Sequence, residues 1–265
     1  MSRAWLKYAE VARITVRSRW AYLGEQLISN WFLVVVIFVF VQLWKVTYAS
    51  QAQQMQGFTL AEMIWYLVAT ESIILSLPRI HSAIEQEVKS GDLALRLNKP
   101  YNYLLFHFSA FIGEGLVRLM TCLLIAGLTA YVMVGGFIFR WEAAPVLLAI
   151  YLTTAAMHFF YNAMAGVAAF WLEDVMGLFF VLDKLKWLLG GLLLPVELFP
   201  GVARTVAEAL PFRYMIAGPA RLFVKFSWDG AWQLFQSQLL WTVVFGAICV
   251  GVYRLGVRRV DVNGG

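Results

Sequence analysis

Apolar runs close to the length of a membrane-crossing helix fill this chain from residue 27 onward, and one charged island, RIHSAIEQEVKSGDLALRLNKP at 79–100, separates two of them. A bilayer's hydrocarbon core is roughly 30 Å thick and takes about 20 apolar residues of helix. Within it every backbone N–H and C=O must be satisfied by the protein, so only helices and closed barrels span it. Runs of this length select helices. The predicted spans are 27–44, 60–78, 116–139, 145–171, 175–194 and 234–253. The expected fold class is an all-α polytopic membrane protein, a single transmembrane domain over 1–265. It has six transmembrane helices, an N-terminal interfacial (elbow) helix over 1–25 and outer re-entrant helices over 195–224.

Composition agrees. Only 14% of the 265 residues are charged and 61% are hydrophobic, against about 25% charged in a soluble globular domain. The net charge of +5 therefore reads as topology, with no nucleic-acid partner expected. Membrane lipid is the expected surroundings. With both termini inside, the inner segments carry Arg3, Lys7, Arg13, Arg17 and Arg19, then Arg79, Lys89, Arg96 and Lys99, then Arg254, Arg258 and Arg259. The outer segments carry half as many, namely Lys45, Arg140, Arg204, Arg213, Arg221 and Lys225. That bias places both termini on the cytoplasmic side. Cys122 and Cys249 sit singly in apolar runs and read as packed apolar thiols.

Taken in order, residues 1–25 put Trp5, Tyr8, Ala9, Ala12 and Val16 on one side of a helix and Arg3, Lys7, Glu10, Arg13 and Arg17 on the other, with Leu6 and Ile14 blurring the polar face. Such a helix lies along the inner leaflet, or simply anchors the first span. A Gln-bearing loop, 47–59, follows on the outside. The second span holds Glu71 well inside, beside Thr70 and Ser72. Glu114 and Arg118 form a favourable i,i+4 pair at the inner mouth of the third span. The fifth span carries Asp183, Lys184 and Lys186, a high density of charge for hydrocarbon. The prolines at 195, 200 and 211 cut the next stretch into pieces too short to cross, and protein must cover their backbone.

In the island, Ile80, Ala83, Ile84 and Val88 make one apolar stripe, leaving Glu85, Glu87 and Lys89 to face elsewhere. Gly91 suits a left-handed helix stop, Asp92 the cap of the next turn, and Pro100 the opening of a helix. A short polar helix held between two spans is a lever for a partner that pushes. The sequence has no G-x-x-x-x-G-K-[ST], G-x-S-x-G or H-E-x-x-H pattern, so no nucleotide loop, nucleophile elbow or zinc helix is expected, and no enzyme. His158 reads as a packing histidine more readily than a ligand. The small-x-x-x-small pairs Ala126/Ala130, Ala165/Ala169 and Ala247/Gly251 mark places where helices can approach closely.

The order of these features, with EVKSGDLALRLNKP at 87–100, GGLLLPVELFP at 190–200 and LPFRY at 210–214, resembles an ABC-2-type exporter permease, nearest the branch for drug, viologen or natural-product export. That resemblance implies an elbow helix at 3–20 and a coupling helix in 79–100 that docks on a separate ABC-type ATPase. It makes Ile84, Glu85, Glu87, Lys89, Gly91 and Asp92 the ATPase-coupling residues. It implies a second permease copy or paralogue, an outer gate in 195–223, and a bacterial cytoplasmic membrane. ATP and Mg²⁺ would sit on the partner, with no cofactor on this chain.

The second and fifth spans would line the path. Trp65, Tyr66, Glu71, Ser72, Phe179, Phe180 and Asp183 are its candidates, because a carboxylate among aromatic rings suits an amphipathic cation. Equally open is a structural ion pair of Glu71 with Lys184 or Lys186. The alternative function is an ion-coupled secondary transporter in which Glu71 and Asp183 carry protons. An intramembrane enzyme is weaker, for want of any nucleophile–base or metal spacing.

Overall fold

The computed structural model describes residues 2–50 and 57–263, with side chains over 5–49 and 57–259. The Gln-bearing middle of the predicted outer loop, 51–56, and the Arg3 side chain lie outside these. The described residues form helices only: α1 (Ser2–Ala21), α2 (Leu23–Ser29), α3 (Trp31–Ser50), α4 (Leu60–Ser76), α5 (Ile80–Lys89), α6 (Asp92–Leu97), α7 (Tyr103–Val134), α8 (Ala144–Val167), α9 (Met176–Gly190), α10 (Gly201–Ala209), α11 (Phe212–Met215), α12 (Ala217–Val224) and α13 (Trp228–Asn263), with short 3₁₀ turns between some of them.

Among the described residues five helical stretches are long and apolar enough to cross a membrane: Leu23–Ala49, Leu60–Lys89, Tyr103–Val134, Trp141–Phe170 and Trp228–Arg259. The predicted fifth span is shorter than the sequence suggests. α9 has 15 residues, a rise of about 22 Å at 1.5 Å per residue, so length alone does not make it a sixth crossing. The predicted third span, 116–139, is displaced. α7 starts at Tyr103 and stops at Val134, because the partly apolar stretch before Ile112 continues the helix and the Gly135-Gly136 pair ends it.

α4 is the centre of the bundle. From Met63 to Ile73 each of its side chains is buried, and it packs against α3, α7 and α12. Leu33, Ile37 and Val41 of α3 meet Ile64, Leu67 and Val68 of α4 in a core that also takes Ala126 and Ala130 of α7. That small-residue pair brings two helices together as expected, whereas Ala247/Gly251 lies on an exposed face. Thr59 caps α4 with a reciprocal capping box to Glu62. Both cysteines are buried and free. His158 is fully buried and hydrogen-bonds the Met215 carbonyl at 3.1 Å, the packing role expected of it.

α1 is not split cleanly into two faces. It packs along α7, with Tyr8, Ala12, Thr15 and Arg19 partly covered, while Trp5, Leu6, Ile14 and Trp20 stay exposed. Leu6 and Ile14 were the positions that blurred the polar face. After α9 the prolines act as predicted on length: α10, α11 and α12 have nine, four and eight residues, none long enough to cross. α12 packs on α4, which covers much of its backbone.

Candidate functional site: the charged island and the buried charges beside it

The island folds as a helix, a glycine turn and a second short helix. Ile80 and Ile84 of α5 are buried and the helix lies against α8 and the turn at Ala168–Phe170. Gly166 makes that contact possible, because a Cβ there would lie 3.0 Å from the His81 backbone and from the Ile84 Cβ. Gly91 takes φ +78°, a left-handed conformation that costs a residue with a Cβ about 1 kcal/mol or more. The caps differ from expectation. Gly91 itself is the N-cap of α6 and Asp92 its first helical residue, with the Ser90 hydroxyl accepting from the Asp92 N–H at 3.3 Å and donating to its carboxylate at 2.9 Å. α7 is opened by Asn102, whose side chain accepts from the Leu105 N–H at 3.0 Å, and not by Pro100.

The acids expected to face a partner turn inward. Glu85 is 7% exposed. Its carboxylate takes the Lys89 ammonium at 2.7 Å and the Val175 N–H, at the head of α9, at 3.3 Å. Glu87 accepts from the Tyr103 hydroxyl at 2.7 Å, contacts His107 Nε2 at 3.1 Å and pairs with Arg96 at 3.0 Å, tying α5, α6 and α7 together. His81 stacks on Phe179 of α9 with centroids 3.4 Å apart. Ile84 is thus buried, and Glu85 and Glu87 make their contacts within the protein. Lys89, Gly91 and Asp92 remain exposed, and Leu95, 67% exposed, joins them at the tip. Arg96, Tyr103, His107 and Leu95 are absent from the sequence-based set. Only the opposite sign of Glu87 and Arg96 across the Gly91 turn hinted at any of them.

The candidate path residues do not converge. Trp65 packs edge-on to Phe137 at 5.0 Å and near Phe223 at 6.3 Å. Tyr66 donates to the Gly191 carbonyl at 2.5 Å and Thr70 to that of Leu192 at 2.7 Å, fastening α4 to the turn after α9. Ser72 is fully buried. Phe179 belongs with His81, and Phe180 is exposed beside Lys184, 5.2 Å from its ring. Asp183 pairs with Lys186 at 2.6 Å, and the Lys186 side chain is 2% exposed. Lys184 sits 3.7 Å from the centroid of the Trp187 ring. The expected pairing of Glu71 with either lysine is thus not formed: each has another neighbour, and Glu71 is buried with no ion pair among the described residues. The i,i+3 spacing of Asp183 and Lys186 carried the signal that the longer-range reading overlooked.

On the same end of the molecule, Glu114 holds two guanidinium groups, Arg118 at 2.5 Å and Arg19 of α1 at 2.8 Å. The favourable i,i+4 pair seen in the sequence is thus half of a three-residue cluster. Among the described residues no group of three or more His, Cys, Asp or Glu side chains has the geometry to hold a metal ion.

Apolar helices of crossing length around a buried central helix, with a charged and internally braced segment at one end, are the architecture of an integral membrane protein. A family model described as "ABC-2 family transporter protein" matches residues 33–264, and the chain belongs to that family. It is thus a membrane component of a transporter and not itself the catalytic subunit, and its family implies an ABC ATPase partner in general. No curated protein matches the chain.

Proposed function

We propose that this chain is the membrane-spanning permease subunit of an ATP-driven exporter for an amphipathic or hydrophobic solute, in the drug, viologen or natural-product branch, working with a second permease copy or paralogue. Both termini face the cytoplasm. α1 serves as the elbow, α9 with the turn that follows it as a sixth, shallow crossing, and α10 to α12 as an outer re-entrant cover. The ATPase partner supplies ATP and Mg²⁺, and it takes hold of the tip formed by Lys89, Gly91, Asp92 and Leu95. Displacement of the tip reaches the bundle through two grips, Glu85 and His81 on α9 and Glu87 on α7. A ligand shifts a conformational equilibrium only through its differential affinity for the two states. ATP-driven closure of the partner provides that difference through α5.

The observation that carries this reading is the contrast within the island, where the acids of α5 are spent on internal bracing while Gly91, Asp92 and Leu95 beyond its end stay exposed. The test is a mild-detergent pull-down of the tagged chain from its own host. Asp92→Lys with Leu95→Glu is expected to lose a soluble Walker-motif ATPase while the thermal midpoint stays at the parent value. Retention of the ATPase by that variant removes the tip from the coupling path, and recovery of no ATPase by the parent removes the exporter reading.

One observation favours a second reading. Glu71 is buried in the central helix without an ion pair among the described residues, as suits a carboxylate that carries a proton, whereas Asp183 is already paired with Lys186. Efflux that collapses with an uncoupler but survives ATP depletion supports ion coupling. In the exporter reading Glu71→Gln instead impairs efflux of cationic solutes.

A further inference from the structure

Two cavities lie side by side on α7, one of about 520 Å³ between α1 and the start of α5 and one of about 340 Å³ beside α1 and α2. Arg19 and Arg118 line both. Arg79, just after the end of α4, lines the larger one with Pro78, Ala110 and Phe111. The charged groups facing the larger cavity are Arg19, Arg79 and Arg118 against Glu114, with His107 occupied by Glu87. The smaller has Glu25 and Gln26 on its walls.

Three features say what such a place would take. The first is depth. Counting about 20 residues of span back from Val134, the end of α7, the hydrocarbon begins near Gly115, which puts Glu114 and Arg118 at its boundary. The second is a surplus of donors. A guanidinium offers five N–H groups in a rigid fork. Glu114 takes Arg19 and Arg118 through one terminal nitrogen each, Arg118 Nε is buried with no acceptor, and Arg79 is exposed with no ion pair among the described residues. The third is an acceptor left over in the smaller cavity, where Gln26 Oε1 is buried and unpaired. An anion with a hydroxyl-bearing substituent satisfies both sets at once, its phosphate on the arginines and its hydroxyls on Gln26 and Glu25. Exposed Met120 and Leu124 on α7 lie on the membrane side for acyl chains. Basic pockets between helices at a membrane surface take anionic headgroups by this chemistry.

We propose that this crevice seats the phosphate headgroup of an anionic phospholipid and so fastens α1 to the bundle through lipid as well as protein. The proposal requires only that the chain crosses a bilayer, so its failure is separate from that of the exporter reading.

The test is native mass spectrometry of the full chain from micelles holding equimolar phosphatidylglycerol and phosphatidylcholine. The parent is expected to retain the former preferentially. Arg79→Gln breaks no ion pair among the described residues and should lower that retention about fivefold. Ala110→Trp keeps every charge but puts an indole into the larger cavity, and should do the same. Arg213→Gln, in the Phe212–Met215 helix, should change nothing. Equal retention of the two lipids, or a preference undiminished in both Arg79→Gln and Ala110→Trp, overturns the proposal. Complete displacement by millimolar inorganic phosphate also overturns it, because the site would then read a free anion and not a lipid.

Discussion

At the scale of single residues, two carboxylates separate what holds the island from what presents it. Glu87 accepts from or pairs with three groups, Arg96, Tyr103 and His107, so Glu87→Gln leaves a buried charge-assisted network short of its acceptor. Such losses cost about 1–3 kcal/mol, and a thermal-shift measurement should show a lowered midpoint, with Asp92→Asn at the exposed tip unchanged. An unchanged midpoint for Glu87→Gln removes it from the bracing role. Asp183 and Lys186 make a different prediction. Removing one partner of a buried pair costs about 3–5 kcal/mol while replacing both with apolar residues is close to neutral. Lys186→Met should therefore destabilise strongly, and Asp183→Leu with Lys186→Met should restore most of the loss in the same assay. Equal losses in the single and double variants would show that the pair has a role other than mutual neutralisation. The i,i+3 spacing made this pair legible in the sequence. Which way Glu85 and Glu87 turn was not, because a helical wheel fixes a residue's direction but not what stands there. Here the groups that stand there come from α6, α7 and α9.

Among elements, α5 shows how far local pattern reaches. Its apolar stripe of Ile80, Ala83, Ile84 and Val88 and its Gly91 stop could be read directly, since both are written in neighbouring positions. Its seat could not, for that depends on Gly166, a residue some eighty positions away whose missing side chain admits the His81 backbone. Gly166→Val should drive α5 off α8 at a cost of about 1–3 kcal/mol, the usual range for overpacking. Limited proteolysis should then cut within 79–100 while the long helices stay protected, and an island as resistant as the parent's would contradict the close contact. The same logic explains the misplaced limits of α7. Residues 103–112 are only partly apolar, so hydropathy placed the span's start beyond them, but a helix lying partly outside the hydrocarbon needs no continuous apolar surface. Its true start was legible in Asn102, a residue suited to N-caps, as the start of α4 was in the Thr59–Glu62 box.

For the whole molecule, hydropathy located the five helices long and apolar enough to cross among the described residues and the proline-cut stretch, since the bilayer imposes a length that composition reveals. The predicted fifth span reads in the sequence as a run of apolar letters, and the run hid an early stop. α9 is roughly a quarter shorter than the hydrocarbon it faces, if it lies along the membrane normal, and the Tyr66 and Thr70 hydrogen bonds tie the turn after it to the most buried helix of the bundle. It is therefore poorly placed to adjust by sliding, and the lipid has to adjust instead. With α9 as the sixth crossing proposed above, the consequence is hydrophobic mismatch: the bilayer would thin locally against α9, at fractions of a kcal/mol per ångström. Reconstituted activity should accordingly be highest in short-chain lipid and fall as the acyl chains lengthen, and a flat profile would place α9 away from the bilayer. A protein built this way would favour thin membrane over thick, so the short α9 helix would bias where in a mixed membrane it resides.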